Sequence, residues 1–241
     1  MLPKKGADVT VVEKSFIGVG IYNIPEAARL TRVPPRTIRR WAAGYSYKGA
    51  RGVRQSPPLW SMELPKIDGY VSLGFRDLIE VRVVQALLDK DISWQRIRRI
   101  GAGVAKLLKT DHPFSSAKFK TDGYRVYTEL PKAPGNAGLI EPESFQLALR
   151  EIIAPFLSDI EYGDDGEPSR WWPMGRKDKA VVIDPGRAFG RPIINSAGIP
   201  TAILAAAYEA EGEDAGVVAR WYDITQAAVE KAVAFERQLA A

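Results

Sequence analysis

The sequence predicts an α+β fold, mainly α. It should start with a basic helical hairpin and β-hairpins, pass through a small central β region, and end in a C-terminal three-helix module. Three observations predict this. Tyr22–Trp41 carries two short helical runs separated by a pair of prolines. Asp68-Gly69 and Asp122-Gly123 lie between extended residues, the signal of a tight β-hairpin. Alanine-rich segments with apolar residues at helical spacing fill 201–239.

Composition narrows the classes. At 241 residues and 46% hydrophobic, the chain can build one or two cores. No window approaches the roughly 18 uninterrupted apolar residues of a membrane span. The basic start Met1-Leu-Pro-Lys-Lys-Gly6 has no apolar run behind it, so it does not read as a signal peptide. Cysteine is absent, which excludes disulfides and thiolate metal sites and fits a cytoplasmic protein. The single histidine, His112, argues against a histidine metal site or a serine triad, and no cofactor is expected. Placed before Pro113 at a helix end, His112 reads as structural.

Charge is unevenly distributed. Residues 1–60 hold eleven lysines and arginines against three carboxylates, whereas 198–241 hold seven carboxylates against three basic residues. A basic head and an acidic tail suggest a polyanion partner for one and a protein partner for the other.

Taken in order, Phe16–Ile21 reads as a short strand. A first helix covers about Pro25–Leu30, with Ala27, Ala28 and Leu30 inward. Thr31–Pro34 ends it, because a proline disfavours helical geometry in the residue before it. A second helix starts near Pro35, since proline is tolerated in a first turn. Ile38 and Trp41 bury, while Arg36, Thr37, Arg39 and Arg40 face outward. This is the pattern of a DNA-reading helix-turn-helix. Gly44 suits the end of the second helix. Lys48–Trp60 is basic and glycine-rich, an exposed loop or β-wing able to track phosphate, with Leu59 and Trp60 returning to the core.

Beyond it, Leu64–Leu73 resembles a hairpin turning at Asp68-Gly69. Phe75–Leu88 is a helix with one buried face. Trp94–Lys109 is another, with Ser93 as cap. Arg96, Arg98, Arg99, Lys106 and Lys109 on its remaining surface read as charges that solubilise the helix, with phosphate contact from Arg98 or Arg99 the alternative. Lys118–Thr128 is a second hairpin, and Pro131–Gly138 a linker-like run. Glu143–Leu157 is an amphipathic helix that Pro155 ends or kinks. A third hairpin runs from Ile160 to Pro173, with Trp171 and Trp172 in it. Lys179–Asp184 is a short buried strand. Three helices close the chain: Ile203–Glu211 capped by Thr201, Glu213–Trp221, and Thr225–Leu239 with Thr225 as its N-cap. Val217, Val218, Trp221, Tyr222, Ile224, Val229, Val233 and Phe235 should form their core.

Two family resemblances follow from these residues. Ile24-Pro-Glu-Ala-Ala-Arg-Leu-Thr-Arg-Val-Pro-Pro-Arg-Thr-Ile-Arg-Arg-Trp41, Phe75-Arg-Asp-Leu-Ile-Glu80 and Ile92-Ser-Trp-Gln-Arg-Ile-Arg98 resemble a MerR-type winged helix-turn-helix over about 1–130. The resemblance implies base or backbone roles for Arg36, Thr37 and Arg40, and wing roles for Lys48 and Arg51. Arg39, Tyr45 and Arg54 complete the candidate DNA-binding set. Pro34-Pro35 departs from the usual serine cap before a single proline. The long coiled-coil dimerisation helix and effector cysteines of many MerR members are also missing.

The second resemblance is carried by Ile183-Asp-Pro185, Phe189-Gly-Arg-Pro-Ile-Ile194, Ile199-Pro-Thr201, Ala210-Glu-Gly212 and Val218-Ala-Arg-Trp-Tyr-Asp-Ile224. These are similar to the helical module called domain of unknown function 433. Ser196-Ala-Gly-Ile-Pro200 replaces the usual Gly-Thr-Arg-Ile-Pro. The two modules together resemble a long VapB-type antitoxin. That implies operator DNA, a PIN-domain ribonuclease toxin and a second copy of the chain as partners, with no membrane association. The implied organisation is a DNA-binding domain at 1–130, a connecting helix and hairpin at 131–178, and a partner-binding or dimerising module at 179–241. Trp221, Tyr222 and Phe235 are its candidate partner-binding residues. A stand-alone MerR-like regulator that dimerises through its C-terminal half is the alternative. An enzyme is disfavoured, because Asp164-Asp165 and Glu213-Asp214 sit in turn and helix-start contexts.

Overall fold

Helix α3, Phe75–Leu88, is the post around which the chain packs. Fourteen residues free of glycine and proline favour it, and extended Gly74 starts it. The Asp77 carboxylate turns back to accept from the Gly74 N–H at 2.8 Å. Ten of its residues are buried, including Phe75, Leu78, Ile79, Val81, Val84 and Leu87. The sequence suggested one buried face. Instead α3 is covered on most sides, because other helices and two strands meet it. The described structure, a computed structural model, comprises residues 16, 18–49, 52–117, 119 and 154–240.

Helices α1, Ile24–Thr31, and α2, Pro35–Ala43, form the expected hairpin against α3. Asn23 accepts from the Glu26 N–H at 2.8 Å, and Glu26 accepts from the Asn23 N–H at 2.9 Å. This reciprocal cap satisfies two donors that a helix start would otherwise leave open. Arg32 ends α1 in the left-handed region. Pro34 offers α2 no side-chain cap, and the helix is entered through its two prolines alone. Ile38 and Trp41 are buried as expected.

The wing is a two-stranded sheet, β2 at Tyr45–Gly49 and β3 at Gly52–Ser56, with Tyr45 opposite Ser56 and Tyr47 opposite Arg54. It therefore begins directly after Gly44, three residues before the segment expected to form it. The strand expected at Phe16–Ile21 lies further on. Gly18 and Gly20 both have positive φ and turn the chain, so β1 is Tyr22–Asn23, paired with β4 at Ser72–Leu73. Asp68 and Gly69 make the tight turn expected of them, with φ of 49° and 80° and Ile67 bridged to Tyr70.

Helix α4, Trp94–Leu108, buries Ile97, Ile100 and Val104 but leaves Leu107 exposed. Ser93 stands at its cap position without a side-chain hydrogen bond. The hairpin expected over 118–128, the linker 131–138 and most of the helix over 143–157 lie outside the described residues. Of that helix, Ala154–Ser158 is described as helical (α5), with Pro155 inside it. Strands β5, Ile160–Tyr162, and β6, Pro168–Trp171, form the expected third hairpin, and β7, Val181–Val182, pairs with β8, Ile193–Ile194.

The C-terminal helices are α6 at Thr201–Ala210, α7 at Ala215–Tyr222 and α8 at Gln226–Ala240. Asp214 caps α7, and the Thr225 hydroxyl oxygen accepts from the Ala228 N–H. Thr201 is not a cap. Pro200 holds that position, and the buried Thr201 hydroxyl bonds to Glu236 on α8 instead. Val218, Val229, Val233 and Phe235 bury as expected, but Trp221 does not and is 65% exposed. The buried apolar residues of both ends form one continuous cluster from Tyr22 to Phe235.

Candidate nucleic-acid interface

The outward face of α2 presents Arg36, Arg39 and Arg40, all exposed, with Thr37 half-buried beside them. The spacing that drives Ile38 and Trp41 inward puts these residues on the other side. The wing adds Tyr45, Tyr47, Lys48, Val53 and Arg54, of which only Tyr45 is half-buried. Arg51 lies outside the described residues.

Several contacts fix the wing against the helix. The Arg40 guanidinium lies 4.0 Å from the Tyr45 ring centroid. Tyr45 and Tyr47 rings follow at 5.9 Å. Hydrogen bonding to Arg40 and then Ser56 holds the Tyr45 phenol below its ordinary pKa. Gly44 has a φ of 72°, and a Cβ there would stand 2.5 Å from the Ser56 carbonyl oxygen. Close approach and backbone geometry both demand glycine.

Behind the wing, Trp41 stacks on Trp94 of α4 at 5.7 Å and 16°. Arg98 lies 5.2 Å from the Trp94 ring centroid and donates to the Pro57 carbonyl. Arg98 and Arg99 are half-buried, and the bond to Pro57 makes Arg98 a strut of the wing base. No arrangement of neighbouring residues in the sequence signals this, nor the Arg40–Tyr45 contact. Val53, 73% exposed in the wing, was also missed, because one valine in a polar loop carries no signal.

The electrostatics point outward. Among the described residues, Arg36, Arg39, Arg40, Lys48 and Arg54 form no ion pair, while Arg29, Arg76, Arg170, Arg176, Lys179, Lys231 and Arg237 each do. An exposed row of guanidinium and ammonium groups without ion pairs suits a phosphate backbone.

Behind this face is a buried polar cluster that sequence reading did not assemble. Asp77 accepts from Trp60 Nε1 at 2.8 Å and lies 2.9 Å from His112 Nε2. Glu80 accepts from the Phe114 and Ser115 N–H groups at 2.9 and 2.8 Å. Burial pushes the Glu80 carboxyl up to about 7. The Asp77 bond and the Glu80 charge hold His112 above its ordinary range against the opposing effect of burial. Asp77, Glu80 and His112 are all closed to solvent, and they tie the 110–116 turn to α3. His112 is structural, as expected. Among the described residues no cluster of histidine and carboxylates could hold a metal ion.

The partner-binding candidates separate. Trp221 projects into solvent, Tyr222 is half-buried, and Phe235 is 3% exposed inside the core. Phe235 is thereby corrected from a partner contact to a packing residue of the core, on the side of α8 that faces α1 and α3.

Comparison with known families matches both ends of the chain. Residues 20–100 match the family described as "Putative DNA-binding HTH domain", and 181–235 match "Protein of unknown function (DUF433)". Fold and site define the class: a two-module protein in which a helix-turn-helix of the DNA-binding type precedes a DUF433 module. Within that class, the chain is similar to "Putative antitoxin VapB45" of Mycobacterium tuberculosis, 29% identical over 217 residues, which span 83% of this chain and 89% of the relative. The X-ray crystal structure of Rv2018 from M. tuberculosis superposes with a TM-score of 0.67 at 25% identity, covering 90% of this chain and 99% of the other. The resemblance to VapB-type antitoxins thus holds in both modules. No helix among the described residues is long and apolar enough to cross a membrane.

Proposed function

We propose that the chain is a cytoplasmic antitoxin that binds its operator through a MerR-like winged helix-turn-helix and neutralises a PIN-domain ribonuclease toxin. The row of unpaired cations on α2 and the wing carries the DNA half of this reading. Arg36, Thr37 and Arg40 read the major groove. Arg39, Tyr45, Lys48, Arg51 and Arg54 grip backbone. Operator half-sites about one helical turn apart call for two copies of the chain. The partner half is supported by the antitoxin name of the relative and by Trp221, an exposed tryptophan on an acidic module. Residues 1–130 serve DNA, 179–241 serve the toxin or the second copy, and 131–178 connect them.

The test has two arms. Binding to the DNA upstream of the chain's own reading frame is measured at fixed salt for the parent and for Arg36→Ala with Arg40→Ala. Each lost base contact should cost about 1–3 kcal/mol, and unchanged binding rejects this reading helix. Co-expression with the adjacent reading frame tests the toxin. A neighbour that neither binds nor is silenced leaves a DNA-binding regulator and removes the antitoxin.

A further inference from the structure

Arg82 lines a cleft and, among the described residues, forms no ion pair, whereas Arg76, the other cation of α3, pairs with Glu63 and Glu167. Its guanidinium lies 3.9 Å from the Trp171 ring centroid and 5.2 Å from that of Phe156. Among the described residues no carboxylate, carbonyl or hydroxyl accepts a hydrogen bond from it. Asp159 acts on it only through its charge, and burial pushes its pKa down to about 10. A guanidinium has five N–H donors, and those of Arg82 are not among the buried unpartnered atoms but open towards solvent and the cleft, available to an acceptor that the described residues do not supply. Aromatic faces compensate part of the charge but accept none of those donors in its plane.

The cleft beside Arg82 has a volume of about 390 Å³. The end of α1 and α3 form one wall, and α8 with the end of β6 forms the other. Arg32 stands across it, anchored to the Gln238 carbonyl at 3.0 Å. Asp89 is the carboxylate at its rim and accepts from Gln85 at 2.6 Å. Leu30, Pro173 and Leu239 supply apolar surface. Arg32 and Arg82 line the cleft with Asp89, and Asp159 acts on Arg82 by charge, so the preference for an anion rests on the Arg82 fork, whose donors have no acceptor among the described residues. The apolar walls favour one with a hydrocarbon body. The planar fork of arginine matches a carboxylate with two parallel bonds. The volume lies in the range of small-molecule sites.

We propose that this cleft binds a small organic carboxylate, its head on Arg82 and its apolar body against Leu30 and Leu239. The site stands whether or not the chain reads DNA. Such a ligand touches α1 and α3 on one side and α8 on the other, so it joins the helix-turn-helix to the C-terminal module.

Full-length protein is titrated with benzoate, octanoate, inorganic phosphate and benzyl alcohol, reading intrinsic tryptophan fluorescence, to which Trp171 contributes, and Tm in parallel. Benzoate or octanoate should give a saturable signal and a rise in Tm, with phosphate weaker and benzyl alcohol silent. Arg82→Met should weaken carboxylate binding about tenfold or more, as loss of a charge-assisted pair implies. If Arg82→Met does not fold, Arg82→Lys carries the test, since it keeps the charge and loses the fork. Its carboxylate affinity should fall severalfold. Absence of a saturable carboxylate signal, equal binding of phosphate or benzyl alcohol, or binding unmoved by the substitution that folds overturns the assignment.

Discussion

The Tyr22 hydroxyl donates to the carbonyl of Gly190 at 2.8 Å, across 168 residues of chain. The neighbouring Ile21 N–H donates to the Phe189 carbonyl at 3.1 Å. The first strand of the helix-turn-helix is thus bonded to the entry of the C-terminal module. Burial, and then nearby carboxylates, raise the Tyr22 phenol well above its ordinary pKa, so it stays a donor at every physiological pH. Tyr22→Phe should lower stability by about 1 kcal/mol, because it leaves the buried carbonyl of Gly190 unpaired. Gly190→Ala should cost more. Gly190 has a φ of 80°, and a Cβ there would meet the Tyr22 oxygen at 2.3 Å. Denaturant unfolding of both variants checks the order.

The wing root makes a second prediction. Gly44→Ala should leave α1, α3 and the core folded but displace β2 from α2, since the clash is with the backbone of Ser56. Operator affinity should fall at least about tenfold while helix content stays unchanged, as loss of the wing's phosphate contacts implies. Circular dichroism and gel-shift titration separate the two effects. Lys48→Ala with Arg54→Ala should weaken binding similarly for all sequences and lower the salt slope by about 2.

How much of this was legible depends on what distance the signal had to cross. The helix-turn-helix was readable because prolines, Asn23 and the Ile38/Trp41 spacing act within a few residues. Asp68-Gly69 was readable for the same reason. Burial of α3 on most sides was not, since it depends on what arrives from elsewhere: Trp60, His112 and Trp171 all reach it from distant segments. Trp221 misled because a tryptophan at helical spacing is apolar whether its side faces a core or a partner. The site arginines were visible as a charge row, but Arg98 looked like the others until Pro57 claimed it.

The buried Asp77–His112–Glu80 cluster predicts a pH dependence. Glu80 rises from its ordinary value of 4.5 to about 7 in the fold. A group with a raised folded pKa contributes stability that is present below the unfolded pKa and lost as pH climbs through the folded one. His112 is raised too, so its contribution has the same sign. Stability should therefore decline as pH rises from about 4.5 through about 7. Glu80→Gln keeps an oxygen for the Phe114 and Ser115 N–H groups and removes the titration. Its Tm should vary less with pH over that window, and a Tm profile identical to the parent's would exclude Glu80 as the source.

Trp221 and Phe235 make opposite predictions from similar chemistry. Phe235 is 3% exposed, so Phe235→Ala opens a cavity beneath α8 and should cost about 3–5 kcal/mol of stability. Trp221 is 65% exposed on α7, so Trp221→Ala should change stability by no more than about 0.5 kcal/mol. If the toxin docks on this module, the same substitution should cost about 2 kcal/mol of toxin affinity, since exposed tryptophans that bury on association are energetic anchors. Calorimetric titration of the variant with purified toxin, beside its unfolding curve, reads both quantities. Full toxin affinity with Trp221→Ala would move the docking surface to another face of the module. A stability loss as large as that of Phe235→Ala would return Trp221 to the core.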